Sequence, residues 1–363
     1  MNIIINHNKL LSGIKFVERI VSKNTSLPIL NSILIKTEGG RIKLSATNLE
    51  VGINFWVGAK IEESGEIAVP AKIFHDFLNN ISDEKINLSV KKNVISINTN
   101  NHKTQILGME TNDFPIIPKI KSNSAIKINS KIFKDGLMGV LDSVSLSEIR
   151  PELSGVFVCI KENNIEFAAT DSFRLSEKII NSKNPIIKSF ILPRNTAVEL
   201  IRLMESQEGE ISLLVNDNQI MFSGEDFEIV SRLIDGHYPE YKRVIPEKFI
   251  SLTKVNRSDL EKNVRVSGLF ASTISDIKIK TTKDNMEIIA KNNDRGEIVT
   301  NLPCETKNQG FEVSVNYNYI LDGLKILPGE NIIFQFSGDG SPLVMLAENN
   351  KDTTYVIMPL RQT

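Results

Sequence analysis

The sequence predicts an α+β fold built from three copies of one domain, each with two helices packed on antiparallel sheets. Three observations predict it. Hairpin-like pairs of alternating apolar and polar runs recur three times, a strand leading into a helix follows each pair, and a helix-like stretch opens each copy. With 363 residues, 41% of them hydrophobic, the chain is long enough to bury several cores.

Each predicted hairpin consists of two runs joined by a short polar turn, as at Gly39-Gly40 and at Asn163-Asn164. The paired runs are 27–36 with 42–48, 153–161 with 165–171, and 274–280 with 286–293. A strand that leads into a helix follows each pair, at 67–74, 190–197 and 311–318. A proline or a small polar residue marks the start of each of these helices.

The helix-like stretches that open the copies are 8–22, 130–145 and 256–266. Equivalent positions, such as Val69, Leu192 and Val313, repeat at intervals of about 120 residues, which is an ordinary domain size. We therefore expect three domains, at 1–122, 123–249 and 250–363, rather than a solenoid of small repeats.

The charge balance argues against a protein that grips DNA tightly. The 43 Lys and Arg residues are matched by 44 Asp and Glu, whereas a protein that neutralises many phosphates usually carries an excess of positive charge. No apolar run could cross a bilayer and no signal peptide is visible, so we expect a cytoplasmic protein. Cys159 and Cys304 lie in apolar, strand-like runs and are expected to be reduced core thiols; a disulfide or a metal pair is the alternative.

Motifs that would indicate catalysis are missing from the sequence. The four His residues show no metal-ligand spacing, and there is neither a phosphate-binding loop nor a Gly-x-Ser-x-Gly elbow. Gly338-Asp339-Gly340 separates two strand-like runs and is predicted to be a turn. We expect a binding protein with no catalytic residues, no metal and no cofactor; a hydrolase with a hidden active site is the alternative.

Four segments occur in an order typical of one known family. They are Thr-Ser-Leu-Pro-Ile-Leu at 25–30, Ala-Thr-Asp-Ser-Phe-Arg-Leu at 169–175, Asp-Gly-His-Tyr-Pro-Glu-Tyr-Lys-Arg-Val at 235–244, and Tyr-Val-Ile-Met-Pro-Leu-Arg at 355–361. Together they resemble the bacterial sliding clamps, the β subunits of DNA polymerase III, over the whole length of the chain.

This resemblance implies a non-catalytic processivity factor that forms a head-to-tail homodimer. Its six domains would form a ring around duplex DNA, with helices lining the hole and strands outside. The implied partners are DNA of any sequence, the replicative polymerase, the clamp loader and other clamp-binding proteins, with no membrane partner. The alternative is an interaction scaffold that never meets DNA, which the neutral net charge would allow.

A ring held on DNA by topology needs only weak, sequence-independent contacts, which reconciles DNA binding with a net charge of −1. The candidates for DNA contact, chosen by helix charge and by family position, are Lys9, Lys15, Arg19, Lys23, Asn24, Lys72, Arg194, Arg202, Arg243, Arg257 and Lys262. A solvated helix face is the alternative for any one of them. The family often carries Arg where this chain has Asn24, and some relatives carry aromatic residues at Pro151-Glu152, so both differences weaken the expected DNA contact.

The resemblance also implies a groove between the middle and last domains that takes a short peptide rich in Gln, Leu and Phe. The positions that match the family's groove are Leu153, Thr170, Ser172, Phe173, Arg174, Leu175, Pro239, Arg243, Val244, Asn316, Tyr319, Pro342, Val356, Met358, Pro359, Leu360 and Arg361. For Leu175 and Val356 a role in the core is the alternative. Ser172 replaces the Gly common in the family and is expected to narrow the groove.

Overall fold

A computed structural model describes residues 1–21, 26–120, 125–147, 149–184, 186–205 and 209–360 of the chain. Its helices are α1 (His7–Val17), α2 (Ala71–Asn79), α3 (Ser130–Met138), α4 (Arg194–Met204), α5 (Arg257–Gly268) and α6 (Tyr317–Ile326). No helix within these ranges is long and apolar enough to span a membrane.

The strands fall into three sets, one for each copy. The first set is β1 (Asn2–Asn6), β2 (Ser32–Glu38), β3 (Arg41–Thr47), β4 (Val51–Gly58), β5 (Lys60–Glu63), β6 (Glu66–Pro70), β7 (Lys85–Lys91), β8 (Val94–Asn98) and β9 (Lys103–Leu107). The second set is β10 (Ile126–Asn129), β11 (Gly155–Ile160), β12 (Asn164–Thr170), β13 (Arg174–Asn181), β14 (Lys188–Pro193), β15 (Glu210–Val215), β16 (Gln219–Ser223) and β17 (Phe227–Arg232). The third set is β18 (Ser251–Asn256), β19 (Asp276–Thr281), β20 (Asn285–Asn292), β21 (Gly296–Asn308), β22 (Glu312–Asn316), β23 (Asn331–Phe336), β24 (Leu343–Ala347) and β25 (Asn350–Ile357).

The predicted threefold repeat is confirmed. The hairpins β2–β3, β11–β12 and β19–β20 form at the predicted turns, and β6, β14 and β22 each lead directly into a helix. Asparagine begins three helices, because the side chains of Asn6, Asn256 and Asn316 accept hydrogen bonds from backbone N–H groups of the first turn of α1, α5 and α6. The turn around Gly338 and Gly340 is also present, and both glycines have positive φ.

Several predicted ends were wrong. Residues 28–31 and Leu153, expected to lie at the start of strands, belong instead to the 3-10 turns Pro28–Asn31 and Pro151–Leu153, because the prolines at the starts of these turns fix φ and have no N–H to donate to a sheet. The first and third helices end at Val17 and Met138, and short 3-10 turns follow each. Cys159 and Cys304 are free but only partly buried, since alternation shows which face a strand residue occupies and not whether that face is covered.

The chain divides into two compact units: unit 1 is Met1–Ser130 with Arg202–Leu233, and unit 2 is Lys131–Ile201 with Ile234–Thr363. Unit 1 holds a five-stranded sheet in the order β5-β1-β7-β8-β9 and an eight-stranded sheet in the order β10-β15-β16-β17-β4-β3-β2-β6. Unit 2 holds a twelve-stranded sheet in the order β14-β11-β12-β13-β25-β24-β23-β18-β21-β20-β19-β22. The strands of the middle copy are therefore shared between two sheets.

Each of these two larger sheets runs from one copy into the next through an antiparallel pair of strands. In unit 1, β4 of the first copy pairs with β17 of the second, with Val51 opposite Ser231. In unit 2, β13 of the second copy pairs with β25 of the third, with Arg174 opposite Ile357. The last strand of a copy thus pairs with the fourth strand of the copy before it.

Candidate functional site

Unit 2 contains a largely apolar cavity of about 240 Å³ beside the β13–β25 pair. Its lining residues come from the turn before β11, the β12–β13 turn, the segment that joins the second copy to the third, and β25 with the residue after it. They are Arg150, Leu153, Thr170, Ser172, Arg174, Leu175, Pro239, Glu240, Tyr241, Val244, Val356 and Met358. Apolar walls with a few polar groups at the edge are typical of a ligand site.

Nine of the residues predicted for the groove line this cavity: Leu153, Thr170, Ser172, Arg174, Leu175, Pro239, Val244, Val356 and Met358. Leu175 and Val356 are 3% and 1% exposed, so they belong to the core and to the cavity wall at once. The two alternatives for these residues are therefore compatible.

Seven described residues predicted for the groove are not among the cavity lining: Phe173, Arg243, Asn316, Tyr319, Pro342, Pro359 and Leu360. Most of them have another structural contact. Phe173 is exposed and its carbonyl accepts the N–H of Met358, Asn316 caps α6, and the N–H of Leu360 donates to Ser314. Arg361 lies outside the described residues.

Arg150, Glu240 and Tyr241 line the cavity without having been predicted. Tyr241 and Glu240 lie inside the segment at 235–244 whose motif was identified, so their place in that motif, directly after Pro239, was the available signal. Arg150 donates to Glu152 at 2.9 Å, an exposed pair that gave no signal in the sequence.

Arg174 is held in place at the cavity edge from three sides. Its Nε donates to Asp171 Oδ2 at 3.0 Å, and its Nη1 donates to Asp322 Oδ2 on α6. Its guanidinium carbon also lies 4.7 Å from the ring centroid of Tyr319, within cation–π range. Burial lowers the pKa of Arg174, but Tyr355, Asp322 and Asp171 outweigh burial, so the net pKa is raised and the side chain stays charged.

The β12–β13 turn presents Arg174 and Ser172 to the cavity. Asp171 Oδ1 accepts the N–H groups of both Phe173 and Arg174 at 2.9 Å, which closes the turn through a side chain. Ser172 has φ of 78°, a left-handed conformation that glycine adopts more readily, which agrees with the family's usual Gly at this place. Ser172 is one of the residues that line the cavity.

The candidates for DNA contact lie on several helices. Lys9 and Lys15 on α1, Arg19 just after it, Lys72 on α2, Arg202 on α4 and Lys262 on α5 are exposed, whereas Arg194 is half-buried. Lys23 and Asn24 lie outside the described residues.

Two of these candidates have other contacts. The guanidinium of Arg257 donates to the carbonyl of Leu324 near the end of α6, at 2.6 and 3.2 Å, so it satisfies a backbone group of that helix. Arg243 forms an exposed ion pair with Glu240 at 2.5 Å. Both are therefore less available to phosphate than the exposed lysines Lys9 and Lys15 of α1.

No group of three or more His, Cys, Asp or Glu side chains in the described part of the chain could hold a metal ion.

Comparison with known proteins identifies the family. Successive family models match the chain: the DNA polymerase III beta subunit N-terminal domain over residues 1–118, its central domain over 127–240 and its C-terminal domain over 242–361. The beta sliding clamp of Synechocystis sp. is 26% identical over 99% of both chains, and that of Staphylococcus aureus is 26% identical over 94% of both.

Solved structures show the same fold. The DNA polymerase III beta subunits of Thermotoga maritima and Pseudomonas aeruginosa superimpose with TM-scores of 0.94 and 0.96, at 24% identity and with 100% of each chain covered. A sliding clamp of Bartonella birtlesii bound to griselimycin superimposes with a TM-score of 0.95 at 25% identity and full coverage. The chain therefore belongs to the DNA polymerase III beta subunit family, the sliding clamps that act as processivity factors in DNA replication and not as its catalytic subunits.

Proposed function

We propose that two copies of this sliding clamp join head to tail into a ring of six domains that encircles duplex DNA of any sequence. Partner proteins, the replicative polymerase and the clamp loader among them, would be tethered by a short peptide in the cavity of unit 2. We place this activity in the cytoplasm. A separate loader would supply the ATP-driven opening, because the sequence has no nucleotide-binding motif.

The main support for the ring is the strand junction that repeats between copies. The last strand of the second copy pairs with β4, and the last strand of the third copy pairs with β13. The same rule applied once more pairs β9, the last strand of the first copy, with β21 of the third copy. In the described part of a single chain, β9 lies at the edge of its sheet. Residues 296–303 of β21 are hydrogen-bonded to a neighbouring strand on one side only, where they pair with β20. Two copies placed head to tail would satisfy both edges.

The hydrogen bonds also give the register of this junction. The carbonyls of Ala68, Ile191 and Ser314, each three residues before the start of α2, α4 or α6, accept the N–H groups of Met109, Ile234 and Leu360. Ile106 is therefore equivalent to Ser231 and Ile357, and the equivalent of Val69 and Leu192 is Val315, not Val313 as the sequence predicted. The pairs Thr47–Gly52, Thr170–Leu175 and Lys291–Glu297 make Gly296 equivalent to Val51 and Arg174. Ile106 is then opposite Gly296, and Lys103 is opposite Val299, which is exposed in the single chain.

The cavity supports the tether. Its lining is mainly apolar, Arg174 and Ser172 stand at its edge, and nine positions match the groove expected from the family resemblance. Met358 adds a flexible thioether, which adapts to partners of different shape. A leucine- and phenylalanine-rich peptide would fill the apolar space while the edge groups bind its backbone.

The ring is tested first by solution mass and then by cross-linking. We expect light scattering to give a dimer of the 40.6 kDa chain across a dilution series. In a background with Cys159 and Cys304 changed to Ser, Lys103→Cys with Val299→Cys should give a covalent dimer under mild oxidation, because opposite residues of an antiparallel pair lie within disulfide range. Lys103→Cys with Thr300→Cys, one residue out of register, is the matched control. A monomeric mass at micromolar concentration would contradict the proposed ring.

The tether is tested with a labelled synthetic peptide containing Gln, Leu and Phe. Met358→Lys should weaken binding by about tenfold or more, because it places a charge in an apolar wall. Ile187→Lys, at an exposed apolar position of the same unit, is the control and should bind as the parent chain does. An equal loss of peptide binding in both variants would argue against the cavity as the peptide-binding site.

Comparing circular with linear DNA distinguishes a ring that encircles DNA from a scaffold that does not bind DNA. A loaded ring should stay on circular DNA and leave when the circle is cut to a linear form. Retention on both forms, or on neither, would favour the scaffold or a tight surface contact.

A further inference from the structure

Unit 2 buries two carboxylates that the cavity itself does not use. Glu166 on β12 and Glu177 on β13 are 5% and 7% exposed, and neither side chain lines the cavity. A buried carboxylate is costly unless it is paired and hydrogen-bonded. Their partners therefore show what these residues hold in place.

The partners are two lysines and a tyrosine. Lys161 Nζ donates to Glu166 Oε1 at 2.6 Å, and Lys242 Nζ lies 2.9 Å from Glu166 Oε2 and 3.6 Å from Glu177 Oε1. The hydroxyl of Tyr241 donates to Glu177 Oε1 at 2.8 Å. Tyr241 and Lys242 are consecutive, so one short piece of chain is attached to carboxylates on two neighbouring strands.

That piece of chain is the connector between the second and third copies, residues 238–245, and it forms one wall of the cavity. Pro239, Glu240, Tyr241 and Val244 all line the cavity from it. Its own backbone gives it little anchorage, since the N–H groups of Tyr241, Arg243 and Ile245 donate only to carbonyls within the connector. Its position therefore depends on side chains.

The anchoring side chains are the aromatic rings and the charged network. Tyr238 stacks on Phe157 of β11 with ring centroids 4.9 Å apart, and Tyr241 meets the same ring edge-on at 6.2 Å. Ring packing resists lifting of the connector but allows sliding along the sheet. The bonds of Tyr241 and Lys242 to fixed carboxylates remove that freedom, because hydrogen bonds are directional.

We infer that Glu166 and Glu177 are positioning residues for peptide binding, which hold the connector wall of the cavity in its binding shape through Lys242 and Tyr241. This inference rests on the proposed tether. Burial and the nearby Glu177 raise the pKa of Tyr241, so its hydroxyl keeps its proton and remains a donor. Removing the Lys242 charge would leave two buried carboxylates with one ammonium group and one hydroxyl, and the connector would lose its attachment to Glu166.

The test measures the binding of the labelled peptide by fluorescence anisotropy to the full chain and its variants. Glu177→Gln and Lys242→Met should each weaken binding by about fivefold or more, although neither residue lines the cavity. Lys242→Arg keeps the charge and should stay within about twofold of the parent chain. Lys183→Met removes an exposed lysine of the same unit and is the matched control.

A double-mutant cycle separates positioning from general destabilisation. The Tyr241 hydroxyl is expected to act through Glu177, so Tyr241→Phe combined with Glu177→Met, which removes the acceptor oxygen, should bind no more weakly than Glu177→Met alone. Additive losses, or parent-like binding by both Glu177→Gln and Lys242→Met, would overturn the inference.

Failure of the inference and failure of the proposed tether give different results. A parent chain that does not bind the peptide at all counts against the tether. A parent chain that binds it, with Lys242→Met equal to Lys242→Arg, counts against the positioning role alone. If Glu177→Gln does not fold, the Lys242 pair decides, since that side chain is half-exposed.

Discussion

Arg174 at the edge of the cavity and Asp322 on α6 are joined by a charge-assisted hydrogen bond that links the second copy of the repeat to the third. The bond connects the end of a strand to the middle of a helix, and Tyr319 of the same helix covers the guanidinium. One side chain therefore both shapes a binding surface and joins two copies.

Changing Arg174 should for this reason affect stability as well as binding. We expect Arg174→Lys to lower the free energy of unfolding by about 1–3 kcal/mol, because a single ammonium cannot reach Asp171, Asp322 and Tyr319 at once. Urea unfolding followed by circular dichroism measures this loss. Arg243→Lys, in an exposed pair, is the control and should change stability by less than about 0.5 kcal/mol.

The conformation of Ser172 gives a second prediction. Its φ of 78° is strained for any residue with a Cβ, so we expect Ser172→Gly to be more stable than Ser172→Ala by about 1 kcal/mol. Thermal unfolding of the three proteins checks the order. Leu49 has φ of 77° at the equivalent turn of the first copy and provides a second site for the same comparison. An alanine variant as stable as the glycine variant would show that the turn relaxes.

The packing of α3 gives a third prediction. A Cβ added to Gly136 would lie 2.2 Å from a ring carbon of Phe167, which is fully buried and has no room to move. Gly136→Ala should destabilise unit 2 by about 1–3 kcal/mol or more, despite the better helix propensity of alanine. Gly139→Ala is the control, since its Cβ would come no closer than 3.2 Å to Lys178 and 3.4 Å to the carbonyl oxygen of Asp135. Equal urea midpoints for the two variants would contradict the prediction.

Acid should weaken the network under the connector. Burial raises the pKa of Glu166, but its hydrogen bonds to Lys161 and Lys242 outweigh burial, and the net pKa is lowered. A carboxyl group whose pKa is lower in the folded state stabilises the protein above its unfolded value of about 4.3, and this contribution is lost as the pH falls through the folded value. The stability difference between the parent chain and Glu166→Gln should therefore be largest near neutral pH and shrink below about pH 4. Urea midpoints measured from pH 7 to pH 3 test this, and a difference that is constant with pH would contradict it.

The repeat was predictable from the sequence because its signals are local. The alternation of β2 with β3 and of β11 with β12, and the prolines before α2 and α4, all act within a few residues. The two junctions between copies were not predictable in this way. Val51 and Ser231 lie opposite each other across many residues of chain, and no local pattern encodes their register.

The cavity was predicted in part, for a related reason. Thr170, Pro239 and Met358 belong to segments with a family resemblance, whereas Arg150 has no motif around it. The network of Glu166, Glu177 and Lys242 was not predicted, because charged residues on separate strands and a connector look like ordinary surface residues until the fold brings them together. For Arg257 the positive charge predicted a contact with DNA, and in the structure its guanidinium donates to the carbonyl of Leu324 near the end of α6.

The strand junctions have a consequence for how the proposed ring would respond to dilution. At β4–β17 and β13–β25 the two paired strands belong to one chain. The effective concentration of one strand around the other is therefore fixed, and is of millimolar order for short linkers. A junction of β9 with β21 between two chains has no such link, and its occupancy follows the concentration of free protein. Of the six joints in the closed assembly, four would re-form at once after breaking, and the two between chains would be the places where a ring opens.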